Sequence, residues 1–216
     1  MAGTTVDEDN VVYKTLLSSI NREGFDFSLE QVLELGAGKE KKKAIAYIIA
    51  TQLSPTEDAT ELTDDIYNDF ITSLKSAYEV LDIKPQPGAE KVFEELHEKG
   101  IRVVLNTGYD SYTANSILEK LQWKIGVQID ALVTASDVPN NRPHPDMIWM
   151  AMKLFDIQEP KQVVKVGDSA VDIEEGKNAG CGLSIGITTG AHTYEQLSAA
   201  GPNLVINRLK DLLSWV

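Results

Sequence analysis

The sequence predicts an α/β fold, in which a parallel sheet carries helices on both faces and a mainly helical stretch lies nearer the amino terminus. Three observations carry this. Beyond residue 88, short apolar runs alternate with amphipathic segments, the strand–helix–strand repeat of a parallel sheet. Residues 11–83 instead show helical spacing. Between the two textures, Pro85, Pro87 and Gly88 break both patterns and mark a hinge.

Each element follows from local spacing. Val12, Leu16, Leu17 and Ile20 share one helical face. A second helix is predicted after Gly36 and Gly38, through Ala44, Ile45, Tyr47, Ile48 and Ile49. A third spans about Asp64 to Val80, with Ile66, Phe70, Leu74 and Ala77 on one stripe. Past the hinge, strands are predicted at 101–106, 131–134, 163–166, 183–187 and 204–206, and helices near 89–99, 110–122, 145–155 and 172–179.

Composition narrows the classes. A chain of 216 residues suits one α/β domain with a modest insertion, and 43% hydrophobic against 25% charged residues supports a buried core and excludes global disorder. With 33 acidic and 20 basic residues the formal charge is −13, which repels a nucleic-acid backbone. No nucleic-acid partner is expected, and any anionic ligand needs a local positive pocket. The one cysteine, Cys181, excludes an internal disulfide and a cysteine-based zinc site. No apolar run approaches the ~20 residues of a membrane span, and Met1 to Asn10 is polar and acidic rather than signal-like. The expectation is a cytoplasmic protein with no membrane partner. Trp123, Trp149 and Trp215 are read as packing residues.

Ligands of parallel sheets bind beyond the carboxyl ends of the strands, so the residues that follow each strand are the candidates. After 101–106 come Thr107 and Gly108, where a hydroxyl and an amide can hydrogen-bond an anion; the same pair also makes a common turn. After 131–134 comes a proline-rich loop with Arg142, whose guanidinium either neutralises a phosphate or ion-pairs with a neighbouring carboxylate. His144 is read as a loop residue. After 163–166 come Asp168 and, four residues on, Asp172 at a helix start. Two hard oxygen ligands at that spacing suit Mg²⁺; the alternative is a helix cap and a first-turn acid that complements the helix dipole.

Several segments together resemble the haloacid dehalogenase superfamily, and its phosphonatase-like (phosphonoacetaldehyde hydrolase-like) branch in particular. They are Met-Ala-Gly-Thr-Thr-Val-Asp at 1–7, Asn-Thr-Gly-Tyr at 106–109, Asn-Arg-Pro-His-Pro-Asp-Met-Ile at 141–148, Val-Gly-Asp-Ser-Ala-Val-Asp at 166–172 and Thr-Gly-Ala-His at 189–192. The resemblance implies a Rossmann-like core of residues 1–10 and 84–216 with an inserted helical cap at 11–83. It implies Mg²⁺-dependent hydrolysis of a small phosphorylated or phosphonylated metabolite through an aspartyl-phosphate. Carried over by position, Thr107 and Arg142 act on the phosphoryl group, Thr4 and Gly108 help bind it, and Asp168, Asp172 and the carbonyl of Ala2 hold the metal. Ala2 also argues against a mutase, which needs an acid–base residue there. Some relatives pair through their caps, so a homodimer is compatible with the resemblance.

Two departures bear on activity. The nucleophilic aspartate is expected immediately before Met1, and it is absent together with the central first strand that should carry it, so the chain as written is expected to be inactive. In the cap, true phosphonatases form an imine through a lysine in a Gly-x-x-Lys pattern. Gly38 and Lys41 fit, followed by Ala44-Ile45; Gly36 and Lys39 give a second register. Alternatively, Lys39, Lys41, Lys42 and Lys43 form one solvated helix face with Glu40. Two further readings therefore stand beside the phosphonatase one: an ordinary phosphate-ester phosphatase, and a non-catalytic phosphate- and Mg²⁺-binding relative.

Overall fold

The computed structural model describes residues 1–54 and 58–216. Between Val11 and Val80 the elements among the described residues are helices, with α1 (Val11–Arg22), α2 (Leu29–Gly36), α3 (Lys41–Ala50) and α4 (Thr60–Val80) packed on one another. The apolar stripes read from the sequence form their common core. Leu16 and Ile20 of α1, Ile45, Ile48 and Ile49 of α3, and Ile66 and Phe70 of α4 are all buried. Glu40 starts α3 by accepting hydrogen bonds from the amides of Lys42 and Lys43. The unforeseen helix is α2. It is short, with Leu29, Val32, Leu33 and Gly36 at helical spacing and only Val32 and Gly36 fully buried, and it starts at the reciprocal cap between Ser28 and Gln31.

The hinge is a short ribbon. β1 (Val6–Asp7) pairs antiparallel with β2 (Lys84–Pro85), and Gln86 N donates to Thr5 O at 2.9 Å. Both crossings of the chain between the helical segment and the remainder are tied together here. Ladders of two residues carry no alternation, which is why the sequence shows only the breakers around them.

The remainder runs α5 (Ala89–Glu98), β3 (Val104–Thr107), α6 (Ser111–Leu121), β4 (Ala131–Thr134), α7 (Asp146–Leu154), β5 (Val164–Gly167), α8 (Ala170–Ala179), β6 (Leu183–Ile187), α9 (Tyr194–Ala199) and β7 (Leu204–Ile206). All pairing in this part is parallel: β3 with β4, and β5–β6–β7 in that order. Helix α7 packs on β3 and β4, α8 on β5 and β6, and α9 on β6 and β7. The strand foreseen at 101–106 begins only at Val104. Before it, Val103 N and the Arg102 guanidinium are taken by the Asp130 carboxylate at 2.8 and 2.7 Å. Trp123 is buried edge-on against Phe93, whereas Trp149 and Trp215 are more than half exposed, a correction to the packing role expected of them.

The parallel strands form two sheets, and among the described residues no strand pairs with both. Side chains bridge β3 to β5 instead. Asn106 Nδ2 donates to both Glu175 oxygens at 2.9 and 3.0 Å, and Lys165 Nζ donates to Asn106 Oδ1 at 2.6 Å. Among the described residues no helix is long and apolar enough to cross a membrane.

The core assignment has a direct consequence. Phe70→Ala is expected to cost about 3–5 kcal/mol in urea unfolding, whereas Lys43→Ala, on the exposed side of α3, is expected to stay within about 0.5 kcal/mol of the parent.

Candidate active site

Most of the candidates meet in one small pocket at the carboxyl ends of β3 and β5. Ala2, Lys41, Thr107, Gly108, Arg142, Asp168 and Asp172 all line it. Thr4 stands just behind, its hydroxyl donating to Asp168 Oδ1 at 2.9 Å. Four loops therefore converge: the amino-terminal turn, the end of β3, the loop before α7 and the loop after β5.

Close approach of these loops depends on two glycines in the left-handed region. At Gly3 (φ +74°) a Cβ would lie 2.3 Å from Asp168 Oδ2. At Gly38 (φ +73°) it would lie 2.1 Å from Val171 Cγ2 and 2.5 Å from Ser169 Oγ. Gly38 is thus where the helical segment touches the loop after β5.

The two carboxylates have unlike surroundings. Asp168 Oδ2 accepts from Ala191 N at 2.9 Å, and among the described residues no lysine or arginine side chain ion-pairs with it. Burial, and then the charge of Asp172, raise its pKa. For Asp172 burial acts in the same direction, but Arg142 and Lys165 outweigh it and hold this carboxyl well below the usual carboxylate range. Asp172 Oδ1 contacts Arg142 Nη1 and lies 3.0 Å from Lys165 Nζ, while Oδ2 accepts from Ser169 Oγ at 2.5 Å. Lys165 also reaches Glu175 at 2.7 Å.

Arg142 therefore makes the structural ion pair that the sequence left open, but only through Nη1. Its Nε is buried without a hydrogen-bond partner, and a Cβ added at Gly108 would lie 3.1 Å from Nη2. Thr107 is buried, and its hydroxyl accepts from Tyr109 N at 3.2 Å. Asp168 is not a helix cap: Ser169 occupies that position at α8, without a side-chain hydrogen bond of the capping kind.

The lysines separate. Lys41 is buried. Its Nζ donates to Lys39 O at 3.0 Å and to Tyr13 Oη at 3.4 Å, and lies 4.7 and 5.6 Å from the ring centroids of Tyr13 and Tyr109. Burial, with Arg142 adding to it, pushes its pKa down to about 8, against opposing acids. Lys39 turns away, donating to Leu35 O at 2.6 Å and lying over the Tyr47 ring. Lys42 and Lys43 are exposed, and Lys42 pairs with Asp64. The solvated-face reading describes Lys42 and Lys43 but not Lys41.

Sequence reasoning passed over Glu8, inside the acidic run Asp7-Glu8-Asp9. It is buried in the same pocket and accepts from Tyr78 Oη and Tyr109 Oη, both at 2.6 Å; burial raises its pKa. Nothing in its neighbours distinguishes it from a solvated acid. Tyr13, which accepts from Gly38 N at 3.0 Å, was read only as part of a helix.

Among the described residues no group of three or more His, Cys, Asp or Glu side chains is arranged to hold a metal. Of the three carboxylates in the pocket, Glu8 has both oxygens taken by Tyr78 and Tyr109, which leaves Asp168 and Asp172. That sparse oxygen set fits Mg²⁺, which keeps most of its waters. The like charges that raise Asp168 are what a divalent cation would relieve.

A family model described as haloacid dehalogenase-like hydrolase matches residues 1–185. The chain is similar to the phosphonoacetaldehyde hydrolase of Parabacteroides distasonis, 36% identical over 129 residues, which is 60% of this chain and 48% of that protein. It is also similar to the phosphonoacetaldehyde hydrolase of Bacteroides fragilis, 31% identical over 159 residues, 72% of this chain and 58% of that one. The chain thus spans about half the length of these curated relatives. Among solved structures, a phosphonoacetaldehyde hydrolase-like protein from Oleispira antarctica superposes with a TM-score of 0.84 at 22% identity, covering 99% of this chain and 88% of the other. A predicted phosphoglycolate phosphatase from Haemophilus somnus gives 0.80 at 18% identity, covering 100% and 94%.

The buried charge cluster is open to test by stability. Lys165→Met leaves Asp172 and Glu175 short of a cation and is expected to cost about 3–5 kcal/mol at neutral pH. Because the folded Asp172 pKa lies below its unfolded value of about 3.9, the stabilisation from its ion pairs is complete above that pH and is lost as pH falls. The gap between parent and variant in denaturant melts is therefore expected to narrow below about pH 4.

Proposed function

The chain belongs to the haloacid dehalogenase-like hydrolase family, and we propose that it represents a phosphonatase-like, Mg²⁺-dependent hydrolase of a small phosphonate or phosphate ester. The observation that carries this reading is the meeting of Arg142, Asp168, Asp172 and Lys41 in one pocket beside Thr107 and Gly108. In a chain of net charge −13, this is a place where an anion finds buried cations.

Arg142 neutralises the phosphoryl group with the guanidinium nitrogens that Asp172 does not use. The Thr107 hydroxyl and Gly108 amide donate to its oxygens. Asp168, Asp172 and the Ala2 carbonyl would hold Mg²⁺, which when bound supplies further charge neutralisation at those oxygens. The attacking carboxylate belongs, by resemblance, immediately ahead of Met1. Attack on phosphorus forms an acyl phosphate as the bond to the leaving group breaks, and water then releases phosphate and restores the carboxylate.

Lys41 carries the phosphonate variant. With its pKa near 8, a minor fraction is free amine at neutral pH. That amine condenses with the aldehyde of phosphonoacetaldehyde, losing water, and the protonated imine accepts the electron pair of the breaking carbon–phosphorus bond; the enamine so formed is protonated at carbon, and water then releases acetaldehyde and restores the Lys41 amine. The ester-phosphatase reading is favoured by one feature: the Lys41 ammonium is already occupied by the Lys39 carbonyl and the Tyr13 ring.

A chain extended ahead of Met1 by an apolar strand ending in aspartate is expected to release phosphate from phosphonoacetaldehyde, and to stop on chelation of Mg²⁺. The 216-residue chain is expected to release none. Borohydride added with phosphonoacetaldehyde is expected to fix an adduct on Lys41, with a yield that rises through about pH 8. Ester hydrolysis without any Lys41 adduct would select the ester reading. Equal phosphate release by both chains would refute the place given to the nucleophile.

A further inference from the structure

A larger cavity, of about 200 Å³, opens beside the phosphoryl pocket, and the two share Lys41, Gly108 and Tyr109. It lies between the helical segment and the loops after β3 and β4. Its walls are of two kinds. On one side Val12, Phe70, Ile71 and Leu74 present apolar surface; on the other stand Glu40, Asp110 and Asn141.

The polar side is electronegative. Glu40 accepts from the amides of Lys42 and Lys43 at 2.9 and 3.0 Å, and Asp110 accepts from Thr113 N and Oγ1 at 2.9 and 2.8 Å. These contacts hold both carboxylates in place as caps of α3 and α6, and a carboxylate has about four acceptor sites, so each keeps acceptor capacity at the cavity wall. Lys42, the nearest cation in sequence, is drawn off by Asp64 at 2.7 Å. Asn141 Oδ1 is buried with no hydrogen-bond partner. Among the described residues that line the cavity, Lys41 is the one lysine or arginine, and its ammonium is turned onto Tyr13 and the Lys39 carbonyl.

We propose that this cavity, where the leaving group of the neighbouring site extends, selects a short alkyl chain ending in a hydrogen-bond donor, best an ammonium, and excludes a second anion. The inference rests on the phosphoryl reading of the neighbouring pocket and on its ester form, in which Lys41 makes no imine. The apolar wall covers the methylenes. Asn141, Glu40 and Asp110 supply acceptors where a donor would otherwise be desolvated without compensation. A carboxylate in the same place would lose its water to meet two like charges and an unpaired carbonyl oxygen, with no free cation to offset them.

The test is calorimetric binding to the 216-residue chain in Mg²⁺, with four probes: inorganic phosphate, propylphosphonate, 3-aminopropylphosphonate and 3-phosphonopropionate. The amine is expected to bind about tenfold more tightly than the carboxylate, a difference of about 1.4 kcal/mol, with the propyl compound between them. The Glu40→Gln/Asp110→Asn double variant keeps amide oxygens at both cap positions and is expected to compress that range to about threefold. Asn141→Ala is expected to weaken the amine and leave the propyl compound unchanged. If phosphate binds and the carboxylate binds as tightly as the amine, this inference falls and the phosphoryl reading stands. If phosphate and all three phosphonates fail to bind, both fall.

Discussion

The placement of two carboxylates at the end of β5, Asp172 buried and Asp168 half-buried, is the constraint that organises the rest. Asp168 and Asp172 cannot both lose their water and stay charged without help, because burial and mutual repulsion each disfavour the ionised forms. The fold answers by bringing partners from distant parts of the chain. Thr4 comes from the amino-terminal turn, Arg142 from the loop before α7, Lys165 from β5 itself and the Ala191 amide from the loop after β6. Two of those segments, the amino-terminal turn and the loop before α7, also wall the pocket. A chain with an excess of acids places two of its basic residues, both buried, at this point, so the site and the folding problem that it poses have one solution.

The helical segment is held to this centre by few but specific contacts. Gly38 touches the loop after β5 where no Cβ would fit, and Tyr13 accepts from its amide. Glu8 then ties three places together, since Tyr78 comes from the end of α4 and Tyr109 from the turn after β3. Each tyrosine hydroxyl satisfies one carboxylate oxygen, which is what a buried acid without a cationic partner requires. Lys41 sits among these rings, and the absence of water around it, more than any one neighbour, lowers its pKa. Its reactivity and the closeness of the helical segment to the sheet are therefore one property.

Legibility in the sequence followed the strength of local pattern. Long amphipathic helices such as α1 and α4, and apolar runs such as β4 and β6, announce themselves because their burial is periodic. Asp168, Asp172, Arg142 and Thr107 were legible because each follows a strand end. The rest depended on tertiary partners. Lys39 and Lys41 have equivalent spacing to a glycine, and only the turn into α3 decides which one faces the pocket. Glu8 reads as one acid in a run of three until Tyr78, seventy residues away, closes over it. The ribbon of β1 and β2 is too short to carry any alternation. The cavity has no signature at all, because α1, α4 and the loops after β3 and β4 contribute to it from remote positions.

Arg142 shows how a structural ion pair and a binding residue can be told apart. A guanidinium recruited only for stability tends to meet a carboxylate in a forked, two-point arrangement that satisfies several of its five donors. Arg142 meets Asp172 through Nη1 alone, while Lys165 already approaches the same oxygen. Its Nε stays buried and unpartnered, a deficit of about 1–3 kcal/mol for a group of this kind, and Nη2 is directed toward Gly108, where the lack of a side chain leaves space. A fold that needed only the ion pair would gain by closing that space. Keeping it open, beside a threonine and at the end of a parallel strand, is what the proposed phosphoryl role of Arg142 would require.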